Sequence, residues 1–70
     1  MEKIVCSIDT EFIKLDSLLK LSGMVSTGGE AKILIQEGEV LVNEEPCLQR
    51  GKKIRPGDKV ILADTEISVE

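Results

Sequence analysis

The sequence predicts an α+β fold, on three observations. A short apolar, β-branched stretch opens the chain. Two segments with apolar residues at helical spacing come next, and from Glu39 onward the apolar period changes to two.

The elements follow in order. Residues 3–8 (KIVCSI) read as a strand, Asp9, Thr10 and Glu11 interrupt it, and Phe12-Ile13 resumes as an extended apolar pair. Leu15, Leu18 and Leu19 then fall at i, i+3 and i+4, which puts three leucines on one face of a short helix. Asp16 lies in its first turn, opposing the positive helix end, and Gly23 is the stop. In a second helix, Ser26 and Thr27 are candidate N-caps and Glu30 is placed for a capping box. Ala31, Leu34 and Ile35 repeat the buried stripe, and Gly38 supplies a left-handed terminator. Ile33 lies about 160–200° around the helix from that stripe. The N-terminal segment is expected to cover it. Val40, Leu41 and Val42 form a strand, residues 43–46 (NEEP) a turn, and Cys47-Leu48 a short return. Pro56-Gly57-Asp58 is a turn signal before another strand at 59–63 (KVILA). Asp64-Thr65 turns into a final edge strand at 66–69 (EISV). No repeat or linker divides the chain, so residues 1–70 are read as one domain.

A domain of this size buries only about 60% of its unfolded surface, which leaves no volume for a deep cavity lined by convergent polar groups. No enzyme is expected. Histidine is absent and no C-x-x-C spacing occurs, so neither metal, cofactor nor a catalytic constellation is expected. Cys6 and Cys47 are expected to be reduced and buried, in a cytoplasmic protein with no membrane-spanning segment. Phe12 is the only aromatic residue, which excludes recognition of unpaired bases by stacked rings. Net charge is −4, but it is segregated. Residues 50–59 carry Arg50, Lys52, Lys53, Arg55 and Lys59 against Asp58, a local +4, while the other four lysines face twelve acids, a local −8. That pattern suits an acidic body with one basic face, and equally a solvated basic loop.

Residues 12–62 resemble the RNA-binding domain first described in the fourth protein of the small ribosomal subunit. Lys14-Leu15-Asp16 stands where that family opens its first helix with Arg-Leu-Asp. The stretch TGGEAKILIQEGEVLVN follows its second helix through Ala31, Leu34, Ile35, Gly38, Val40, Val42 and Asn43. Residues 53–58 (KIRPGD) look like its K-V-x-P-G-D. The size and the GG-E-AK form look most like its short, stand-alone bacterial branch. The resemblance implies two short helices packed on a small, mainly antiparallel curved sheet (an alpha-L motif), here with an N-terminal strand extension. It also implies binding of structured RNA, of the ribosomal or transfer-RNA class; a monomer is the default expectation, and neither sequence nor resemblance fixes it.

Carried over position by position, the implied RNA face comprises Lys14, Thr27, Gly28, Gly29, Lys32, Gln36 and Asn43. Charge adds Lys20 and the basic stretch Arg50, Lys52, Lys53 and Arg55. Two positions depart from the family: Gly28 stands where many relatives have Arg, and Glu44-Glu45 replaces Asn-Gly. These departures and the net charge leave a second reading open, a module that keeps the fold and binds a protein partner.

Overall fold

In the computed structural model, which describes residues 1–70, nine elements follow one another. They are β1 (Glu2–Cys6), β2 (Ile13–Lys14), α1 (Leu15–Leu21), α2 (Gly28–Gln36), β3 (Val40–Val42), β4 (Glu45–Pro46), β5 (Lys53–Ile54), β6 (Lys59–Leu62) and β7 (Thr65–Val69). Five strands form one sheet in the order β1-β7-β6-β3-β4, and β2 pairs with β5 in a separate ribbon. All pairings are antiparallel except β1 with β7. The α+β class and the mainly antiparallel sheet are as the sequence predicts.

The core is aliphatic. Leu15, Leu18 and Leu19 of α1, with Ala31 and Ile35 of α2, are fully buried. They share one cluster with alternate residues of the sheet: Val40 and Val42, Val60 and Leu62, Ile67 and Val69, and Cys6. Both helices end as expected, on glycines at positive φ. Gly38 (φ 77°) closes α2 with its amide on the Ile35 carbonyl while Glu39 reaches Leu34; Gly23 repeats the pattern on Lys20, with Met24 on Leu19.

Four expectations are corrected, the last of them the burial of Cys47. Ile33 is not covered by the N-terminal segment: it remains 58% exposed. β1 instead adds to β7 in parallel, from Glu2 opposite Thr65 to Cys6 opposite Val69. A sheet edge satisfies the backbone groups of a whole strand, whereas α2 offered only one apolar side chain. For the same reason β7 is an interior strand, not the edge. The return after β3 starts at Glu45 rather than Cys47, because Asn43 (φ 49°) and Glu44 (φ 73°) both turn left-handed and make a two-residue hairpin. Cys6 is buried, and burial raises its thiol pKa; Cys47 is only half-buried. No helix is long and apolar enough to cross a membrane.

Candidate nucleic-acid interface

The basic stretch is fastened to the start of α1. Lys14, the residue before this helix, has no side-chain cap to offer. The loop supplies the missing acceptors: the Leu15 amide donates to the Lys52 carbonyl at 2.9 Å and the Asp16 amide to the Arg50 carbonyl at 3.1 Å. Arg50 Nε donates to Asp16 Oδ2 at 3.2 Å. Beside it, the β2–β5 ribbon sets Lys14 opposite Lys53 and Ile13 opposite the fully buried Ile54. Lys53 Nζ lies 4.9 Å and Arg55 Cζ 6.0 Å from the Phe12 ring centroid. Lys14, Arg50, Lys52, Lys53 and Arg55 are all exposed, so the fold gathers five cations around one helix end.

A second group sits at the other end of α1. The Val25 amide donates to the Leu19 carbonyl at 3.3 Å, so the connection that leads to α2 at Gly28 folds back against the C-terminal end of α1. Lys20 occupies the last turn of α1, roughly 9 Å along the axis from Lys14 at 1.5 Å per residue. At the start of α2, Thr27 Oγ1 accepts from the Glu30 amide at 3.1 Å and Glu30 Oε1 from the Ser26 amide at 3.2 Å, the capping contacts the sequence predicts. Gly28 and Gly29 are the first two helical residues, and their amides point out of the helix beyond the reach of its own carbonyls. Gly28, Lys32 and Gln36 follow at i, i+4 and i+8 on one face. No hydrogen bond or ion pair joins this group to the basic loop.

Asn43 is exposed at the β3–β4 hairpin, and its side chain is tied to the protein. Its Oδ1 accepts from the Lys59 amide at 3.1 Å, and its Nδ2 donates to Asp58 Oδ1 at 3.2 Å. It lines a depression of about 540 Å³ together with Glu45, Gln49 and Lys52, while Glu44 opens on a smaller one beside Lys59 and Glu66. The two hairpin acids therefore diverge, and Glu45 is the one that shares a surface with a basic-loop lysine.

Sequence reasoning missed two organisers, Phe12 and Asp58. Asp58 ends the turn that starts at Arg55: its amide donates to the Arg55 carbonyl at 3.0 Å, and its Oδ2 accepts from the Arg55 amide at 2.8 Å. The R-P-G-D string carried this signal, since an aspartate at a turn end bonds back to the backbone. The Arg55 amide is the main cause of a carboxyl pKa below its ordinary value. Partial burial works against it, and Asn43, Lys52 and Arg55 lower it further. A folded pKa below the unfolded one contributes stability that is full above the unfolded value and lost as pH falls through the folded one. Asp58→Ala is thus expected to cost about 1–2 kcal/mol near neutrality and to flatten the loss of stability between about pH 5 and pH 2. Urea melts over that range check it; parallel curves for the two proteins would contradict it.

Comparison with known proteins agrees with the architecture. A family profile described as the S4 domain matches residues 6–70, so the likeness extends past 12–62 to include the end of β1 and all of β7. The "Probable ribosome maturation protein RlbA" of Bacillus subtilis (strain 168) is 52% identical over 54 residues, 77% of this chain and 76% of that protein. The chain belongs to the S4 domain family.

Proposed function

We propose that this protein binds structured RNA, without catalysing a reaction on it, through the cations gathered at the start of α1 and the amide-rich start of α2. The observation that carries the reading is the anchoring of Arg50 and Lys52 to α1 and of Lys53-Ile54 to β2, which turns a sequence-local charge run into a fixed basic surface on a net-acidic protein. Cations held in this way release counterions from phosphates regardless of base sequence. The two free amides at the head of α2 add a site for one further phosphate. Ribosomal RNA is the first class to test, because the relative above carries a ribosome-maturation name; the cytoplasm is the corresponding compartment. Glu45 lines the same depression as Lys52, and a carboxylate there works against affinity by repelling the same phosphates.

Binding of a labelled ribosomal-RNA hairpin, measured by anisotropy over a salt series, tests the proposal. Gly28→Arg sharpens it. An added Cβ at Gly28 meets nothing within 4 Å, and its φ is not positive, so the backbone tolerates the change. A better helix former gains up to about 1 kcal/mol, and a cation at a helix N-terminus loses about 0.3–1 kcal/mol, so stability should hardly move. Affinity should rise, with the salt slope steeper by about 0.7–0.9. Unchanged affinity would remove the head of α2 from the interface. Failure of the wild type to bind RNA at low salt, with capture of a protein partner instead, would favour the interaction-module reading.

A further inference from the structure

The one aromatic side chain is spent outside the core. Phe12 belongs neither to the aliphatic cluster nor to the partly buried apolar residues packed against it. Two cations lie over its ring, Lys53 Nζ at 4.9 Å and Arg55 Cζ at 6.0 Å from the centroid, within reach of the negative ring face. The strand pairing makes this environment costly for cations. Lys14 stands directly opposite Lys53, and like charges across a strand pair repel. Lys53 and Arg55 alternate along the chain, so they project to one side roughly 6.5–7 Å apart at their backbones. Without an attractive partner these side chains would splay into solvent.

We propose that Phe12 is a positioning residue whose ring holds Lys53 and Arg55 as adjacent cations, pre-set to grip neighbouring phosphates of one RNA strand. This rests on the RNA-binding reading above. Long side chains lose rotamer freedom when they clamp a ligand, and a ring that restricts them beforehand removes part of that loss from binding. A ring engaged with two cations is also not offered to bases, so the grip should be indifferent to sequence.

The test uses the full chain and a fluorescein-labelled RNA hairpin with a regular stem, with Phe12→Leu and Phe12→Trp as variants. Leucine keeps an apolar side chain and removes the ring; tryptophan keeps a ring of stronger cation attraction. Phe12→Leu should bind about 3–10-fold more weakly, the range of a lost cation–ring contact, while Phe12→Trp binds at least as well as wild type. The salt slope should stay within about half a contact of wild type for both, because no charge has been removed. A merely structural role would move the melting temperature and leave affinity per folded molecule untouched. In wild type, the side-chain methylene protons of Lys53 and Arg55 should show upfield ring-current shifts, lost in Phe12→Leu. Wild-type affinity in folded Phe12→Leu, absence of those shifts in wild type, or collapse of Phe12→Leu would each overturn the proposal. Failure of the wild type to bind the hairpin would instead remove the RNA-binding reading and this inference with it.

Discussion

A chain lacking residues 1–6 is expected to melt about 20 °C or more below the intact protein, or to be largely unfolded at room temperature. β1 is the whole outer cover of β7 on that side, pairing along all five of its residues. Without it, β7 becomes an edge with unpaired backbone groups, and Ile67 and Val69, now 0% and 2% exposed, lose their neighbours Ile4 and Cys6. Exposing the equivalent of two or three apolar side chains costs about 3–6 kcal/mol. A domain of this size has only about 3–5 kcal/mol in total. At about 4–8 °C per kcal/mol, the shift is large and hard to miss. Ile33→Ser is the internal contrast: the side chain is mostly exposed, so stability should stay within about 0.5 kcal/mol. Thermal melts of the truncated and substituted chains decide. An unchanged melting temperature for the truncation would mean that β1 is not part of the cooperative fold.

That contrast marks where the fold was legible in the sequence. Local signals were enough for both helices: Leu15, Leu18 and Leu19 share a face, Thr27 and Glu30 cap, and Gly23 and Gly38 terminate where their spacing placed them. Strand partners were not legible, because pairing is a long-range choice that alternation does not specify. Residues 3–8 read as a strand, but nothing local said that it would run parallel to β7 rather than cover Ile33. β2 and β5 are two residues each, too short to show a period, yet their pairing brings Lys14 to Lys53. The candidate residues were legible by charge and resemblance, though their division into two groups at opposite ends of α1 was not. Asn43 was legible as a left-handed turn residue; its bonds to Asp58 and Lys59 depend on contacts fifteen and sixteen positions away in sequence.

Replacing Lys32, Lys52 and Lys53 together with alanine is expected to weaken RNA binding by about 10–100-fold near physiological salt, and about equally for every RNA sequence. The three are exposed and take no part in a salt bridge, so the variant should fold normally. The loop's attachment is made by the carbonyls of Arg50 and Lys52 and by Arg50 with Asp16, and none of these groups is removed. Phosphate contacts position an RNA and carry no base information, so loss should be uniform across sequences. The decisive measurement is the dependence of the dissociation constant on salt for wild type and triple variant. If both groups grip phosphate, the basic loop through Lys52 and Lys53 and α2 through Lys32, the logarithmic slope falls by about 0.7–0.9 per lysine, roughly 2–3 in all. A folded triple variant with the wild-type affinity and the wild-type slope would contradict the assignment of this surface to RNA.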